Sequence, residues 1–152
     1  MWPAMKGFER ILVGIDFSLA SERAVVMAQT MLAPRGIIYF LHVAPDIASA
    51  SRDYLKDPGV KELQRKIAGE AMDRLAARVK KSLSKDVRYE CVTAAGDPAA
   101  EIIKVSRAKG VQIILLGIHG GTRSDLSKLG STVDKVVRES HCPVLVVPTE
   151  RV

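Results

Sequence analysis

The sequence predicts one α/β domain: a doubly wound, five-stranded parallel sheet with helices on both faces. Three observations predict it. Short apolar runs alternate with stretches of helical period, which implies right-handed strand–helix–strand crossovers. Most of the runs are apolar at every position, as in strands buried on both faces. The chain has 152 residues, 47% of them hydrophobic and 26% charged, which suits one domain with a real core. No internal repeat, low-complexity tract or linker interrupts it. Residues 1–152 therefore read as a single domain, with 1–8 as an N-terminal extension.

Arg10-Ile11-Leu12-Val13-Gly14-Ile15-Asp16 is the first buried strand, and it ends in a carboxylate. Ser18 is a good N-cap for a helix over 19–32. Pro34-Arg35-Gly36 stops that helix, and Ile37 to Val43 forms the second buried strand. Residues 45–59 lack a clear period and are long for a connection, so a flexible loop is expected there. Leu63, Ile67, Ala71, Leu75, Val79 and Leu83 recur every fourth residue and predict a helix over 60–83. Val87 to Thr93 alternates in character, as a half-exposed strand at a sheet edge does. Gly96-Asp97-Pro98 reads as turn, N-cap and first helical residue of a helix ending near Gly110. Val111 to Leu116 is the fourth strand. A last helix spans 131–140, and Val144 to Val147, between two prolines, is the fifth strand.

Composition excludes several function classes. The net charge is +6, which raises nucleic acid as a partner. Nine Lys/Arg against four Asp/Glu lie between Lys61 and Arg88, on the solvated side of the predicted amphipathic helix. Few aromatics interleave with them, so no stacking platform for single strands is present. We expect no nucleic-acid partner. No apolar run approaches the roughly 20 residues that cross a bilayer, and Met1 to Lys6 lacks a signal peptide's features. No membrane partner and a cytoplasmic location are expected. Cys91 and Cys142 belong to no metal-ligand spacing and read as small buried thiols. His42 and His141 lie beside apolar runs and read as structural.

The stretch from Gly117 to Thr132 carries the chemistry. It reads Gly-x2-Gly-x9-Gly-Ser, directly after the most apolar strand and leading into a helix. It is neither a Walker A loop nor a dinucleotide fingerprint. Gly117 and Gly120 let main-chain amides turn toward a phosphate, and Gly130 permits close approach at the helix start. Ser131 and Thr132 can bond phosphate oxygens at the positive end of the helix dipole. His119 is placed to donate, and Arg123 and Lys128 can supply counter-charge. A tight strand-to-helix turn with a hydroxyl cap and no ligand fits these residues about equally well. Asp16 and Gly117 both stand at carboxyl ends of strands. If the first and fourth strands are neighbours, the two residues face one crevice where ligands sit in such sheets. No Ser–His–carboxylate or Cys–His set follows from position, so no catalytic or metal-ligating residues are assigned.

The chain resembles the universal stress protein family over nearly its whole length. The resemblance rests on Ile11 to Ser18, Leu41-His42-Val43, Gly96-Asp97-Pro98, the Gly-x2-Gly-x9-Gly-Ser loop and His141 to Val147. It implies strand order 3-2-1-4-5 and membership of the ATP-binding subgroup. By position, it implies that Asp16 and the main chain of Val43 contact adenine or ribose. It implies that Gly117, Gly120, Gly130, Ser131 and Thr132 hold the phosphates of ATP, with or without Mg²⁺. Thr132 stands where many members have Val, Gly121 often corresponds to a larger residue, and Ile118 replaces a commonly small or polar one. The last strand, as an apolar sheet edge, invites pairing of Val144–Val147 with a second copy, and the family pairs this way. The expected function is a homodimeric, nucleotide-dependent regulatory module that binds ATP without being an enzyme. A same-fold dimeric interaction protein with an empty loop and a slow ATPase are the alternatives. The stress, the regulated process and the protein partner are not encoded in any motif.

Overall fold

In the computed structural model, residues 6–47, 57–118 and 129–149 are described. Within them the chain runs β1 (Phe8–Gly14), α1 (Leu19–Met31), β2 (Leu32–Ala44), α2 (Pro58–Ser82), β3 (Tyr89–Ala95), α3 (Pro98–Ala108), β4 (Ile113–Gly117), α4 (Ser131–Glu139), β5 (Val144–Val147). All five strands are parallel, in the order β3-β2-β1-β4-β5. β1 and β4 are neighbours, with Val13 opposite Leu115. β3 and β5 are the edges.

The strand pleat sorts the core into two layers. Ile11, Val13, Ile38, Phe40 and Leu115 point to one face and pack with Ala24, Val25 and Ala28 of α1 and Leu75 and Val79 of α2. Leu12, Leu41, Ile114 and Leu116 point to the other and pack with Ala99 and Ile102 of α3 and Val133 and Val136 of α4. Alternation with period two explains why consecutive residues of one apolar run enter different layers.

Several expected boundaries move, each for a local reason. Helix α1 ends at Met31, and β2 begins at once with Leu32, so Pro34-Arg35-Gly36 lies inside a strand. The ladder absorbs it as an irregularity: Phe8 pairs with Leu32, but Arg10 already pairs with Ile37. Proline is tolerated in strands at such places because no ladder donor is needed there. A Cβ on Gly36 would sit 3.0 Å from the carbonyl oxygens of both Phe8 and Glu9 and 2.5 Å from Leu32 Cδ1, so glycine lets the bulge close tightly on β1. Phe8 is already the first residue of β1, so the expected 1–8 extension is too long by at least that residue.

Helix α2 starts at Pro58, capped by Asp57, whose side chain accepts from the Gly59 N–H at 2.8 Å. Residues 57–59 therefore belong to the helix start and not to the expected 45–59 loop, of which 48–56 lie outside the described residues. Of the apolar residues spaced every fourth position, only Leu75 and Val79 are fully buried, and Leu63 is 51% exposed. A strict four-residue spacing drifts around a helix of 3.6 residues per turn, so the stripe cannot face the sheet throughout. β3 begins two residues later than expected, with Tyr89 40% exposed at the edge.

Candidate functional site

Beyond the carboxyl ends of β1 and β4 the chain turns to opposite faces of the sheet. Helix α1 follows β1 onto one layer, and α4 follows β4 onto the other. The parting leaves a crevice of about 400 Å³, a size that suits a small-molecule ligand. Its walls include Gly14, Asp16, His42, Val43, Gly117, Gly130, Ser131 and Thr132. Six of the eight residues expected to form a site are thus brought together: Asp16, Val43, Gly117, Gly130, Ser131 and Thr132. His119 and Gly120 lie outside the described residues, as do Arg123 and Lys128.

Asp16 is exposed and is the one charged side chain lining the crevice among the described residues. Its Oδ1 accepts from the Ser18 N–H at 2.9 Å, which fixes the carboxylate against the turn. Ser18 in turn caps α1, its Oγ accepting from the Ser21 N–H at 3.2 Å. Between them Phe17 takes a φ of +64°, the left-handed region that a bulky side chain rarely adopts. That conformation costs about 1–2 kcal/mol in an L-residue, so something must hold it. The Phe17 ring lies 4.6 Å from the His42 ring, and the Arg74 guanidinium carbon sits 3.9 Å over its centroid.

The second wall is backbone. Leu41 C=O accepts from the Ile15 N–H, and Ala44 C=O accepts from the Gly96 N–H on the other side of β2. Alternation along a strand turns the Val43 peptide groups back toward the β1 side. There β1 has already ended, its last paired residue being Gly14 opposite Leu41. The Ile15 carbonyl that would continue the ladder is taken by His42 Nδ1, 2.7 Å away. A carbonyl only accepts, so Nδ1 carries the proton. Val43 thereby offers a main-chain donor and acceptor to the crevice.

The third wall is the start of α4. Gly130 is its N-cap in extended conformation, without any side-chain cap bond. Its carbonyl accepts the first helical bond, from the Asp134 N–H at 2.9 Å. The N–H groups of Ser131, Thr132 and Val133 precede that bond, and none has a partner among the described residues. Three orphan donors and the positive end of a helix dipole thus face the same space. Lys135 ties this end to α3 through Asp97 at 3.2 Å. Asp97 accepts from the Ala100 N–H and then from Lys135, which together hold its carboxyl below the usual value of 3.8.

Gly117 has a structural duty that the loop motif did not reveal. A Cβ there would lie 2.6 Å from the Ala20 Cβ and 3.0 Å from the Ser21 nitrogen, so its absence lets α1 lie against β4. Sequence reasoning passed over His42, Pro98 and Ile102 as site residues, although all three line the crevice. His42 had a usable signal, since it stands at the carboxyl end of the strand beside β1, as Asp16 and Gly117 do at theirs. Cys91 and Cys142 are free and half-buried, and burial, then Glu90, pushes the Cys91 thiol up. Among the described residues no cluster could hold a metal ion, and no helix is long and apolar enough to cross a membrane.

A carboxylate, strand-end peptides and a helix start without a side-chain cap are gathered where the strand order reverses, the place at which open α/β domains take their ligands. The profile of the Universal stress protein family matches residues 7–148, and the chain belongs to that family. The universal stress protein YxiE of Bacillus subtilis is 31% identical, the alignment covering 92% of this chain and 99% of that protein. The universal stress protein MJ0577 of Methanocaldococcus jannaschii is also 31% identical, over 92% of this chain and 94% of its own. The solved structure of MJ0577 matches with a TM-score of 0.79 at 28% identity, covering 95% of this chain and 98% of that one. A universal stress protein solved in complex with cAMP shares the fold, with a TM-score of 0.63 at 20% identity over 95% of this chain and 99% of that one.

Proposed function

We propose that this universal stress protein binds ATP in the crevice between the β1 and β4 loops and acts as a nucleotide-dependent regulatory module in the cytoplasm. The observation that carries the reading is the pairing of opposite chemistries across one 400 Å³ space. Asp16 and the Val43 main chain, hydrogen-bonding groups without positive charge, suit the hydroxyls of ribose and the amine and ring nitrogens of adenine. The N–H groups of Ser131, Thr132 and Val133, unpaired among the described residues, suit a polyphosphate, as helix starts do. Gly117 and Gly130 offer bare backbone beside them, and His119 and Gly120 extend the phosphate path by their position in the sequence. The same fold accommodates cAMP in another family member, which supports a nucleotide as the ligand class. Mg²⁺, where present, would enter on the phosphates, since the described walls offer Asp16 as their only carboxylate. Among the described residues the crevice wall offers no base–nucleophile pair, and the reading proposed is binding and not turnover. Pairing of β5 with a second copy through Val144–Val147 completes the proposed unit, because β5 is a short apolar edge.

Two measurements test this. Denaturing purified protein and chromatographing the supernatant should release adenine nucleotide, and calorimetric titration of nucleotide-free protein with Mg-ATP should give saturable heat. No released nucleotide together with no heat would leave an interaction module with an empty loop. Turnover on the scale of seconds would indicate an enzyme instead.

A further inference from the structure

We propose that Phe17, His42 and Arg74 are positioning residues: they clamp the β1–α1 turn and so aim the Asp16 carboxylate at the bound nucleotide. The proposal rests on the nucleotide reading above and adds His42, on the crevice wall, and Phe17 and Arg74, which do not line it. Asp16 is the only charge on the described crevice wall, and it precedes a residue held in the left-handed region at φ +64°. The Phe17 side chain does not favour that conformation, being neither Gly nor Asn, and the local bond across it is the one from the Ser18 N–H to Asp16 Oδ1. Three contacts hold the turn from outside it. His42 donates from Nδ1 to the Ile15 carbonyl at 2.7 Å, on the residue before Asp16. The His42 ring lies 4.6 Å from that of Phe17, the residue after Asp16. Arg74, on the exposed side of α2, sits 3.9 Å over the same ring. One turn further along α2, Arg78 bonds Glu22 in the first turn of α1 at 2.6 Å. Helix α2 therefore braces both the turn and the helix that follows it. The turn that carries Asp16 is gripped on each side, by β2 and by α2, while Asp16 lines the crevice.

A clamp acting through Asp16 makes a claim about coupling that a stabilising ring would not. We would measure ATP affinity by calorimetry for the wild type, Phe17→Ala, Asp16→Asn and the double variant, with thermal unfolding to confirm that each is folded. Asp16→Asn retains Oδ1 for the Ser18 bond but removes the charge, and should weaken binding about tenfold, as for a lost charged hydrogen bond. Phe17→Ala should weaken it by a similar factor. The double variant should lie within about twofold of the weaker single one, because both act through one carboxylate. Phe17→Tyr keeps the ring and should stay within about twofold of the wild type. Arg74→Ala, at an exposed helix position that tolerates substitution, should cost about two- to fivefold, and Arg74→Lys should restore most of it. That pair, combined with Asp16→Asn, carries the test if Phe17→Ala does not fold. Independent losses that multiply to about a hundredfold, or unchanged affinity in both Phe17→Ala and Arg74→Ala, overturn the clamp alone. A wild type that binds no nucleotide overturns the nucleotide reading and the clamp with it.

Discussion

Replacing Gly117 by alanine adds one methyl group and separates two explanations of this glycine. The new Cβ would stand 2.6 Å from the Ala20 Cβ, 3.0 Å from the Ser21 nitrogen and 3.1 Å from the Ala20 carbonyl carbon. Two of those three atoms are main chain of α1, so a rotamer change cannot relieve the clash. The helix must lift from β4, against a layer that includes the fully buried Ala24, Val13 and Leu115. Overpacking of this kind costs about 1–3 kcal/mol. In a domain of this size that corresponds to a fall in Tm of roughly 3–10 °C. The assay is urea unfolding of nucleotide-free protein followed by circular dichroism, with the midpoint falling at constant slope. Ala20→Gly in the same chain removes the nearest of the three contacts. The double variant should then be more stable than the two separate losses combined, although glycine in the helix itself costs up to about 1 kcal/mol. A Gly117→Ala protein of wild-type stability that has lost only nucleotide affinity would refute this reasoning and make Gly117 purely a ligand residue.

Ser131→Pro is expected to keep α4, because proline suits the first helical position, yet it deletes one of the orphan N–H donors facing the crevice. ATP affinity should fall about tenfold by calorimetry, with Ser131→Ala as the control that removes only the hydroxyl. Equal affinity in both would remove the helix start from the phosphate site. Asp97→Ala should lower the melting temperature at pH 7, since Asp97 caps α3 and bonds Lys135. The Asp97 pKa is depressed on folding, so its contribution is present above the ordinary value of 3.8 and is lost as pH falls through the lower folded value. The gap between the melting curves of variant and wild type should therefore begin to narrow as pH falls below about 3.8 and close only below the lower folded value, and a constant gap would contradict the assignment. Val146→Lys places a charge in the β5 edge and should give monomers or insoluble protein in size-exclusion chromatography; an unchanged dimer would refute the β5 interface.

The sheet was readable because its strands are local signals. Ile11 to Val13 and Ile113 to Leu116 are continuous apolar runs, and both are buried throughout. Ser18, Asp97 and Pro98 announced helix starts, and each occupies its cap or first-turn position. What failed depended on partners distant in sequence. Pro34 and Gly36 look like a helix stop, yet their place is decided by how closely Phe8 and Glu9 approach. Leu63 fits a repeat, but a strict four-residue spacing drifts around the helix and leaves it 51% exposed. The site divides in the same way. Asp16 and Ser131 were legible from strand and helix ends. The grip of His42 and Arg74 on the Asp16 turn was not, because they lie 26 and 58 positions beyond Asp16 in the sequence, and only the assembled layers bring them together.

The most direct test of the nucleotide reading is a crystal structure of the protein grown with saturating ATP. It should show phosphate oxygens about 3 Å from the main-chain nitrogens of Ser131, Thr132 and Val133, with ribose or adenine against Asp16 and the Val43 main chain. An empty crevice at saturating ATP, or a nucleotide whose phosphates lie away from the start of α4, would contradict it.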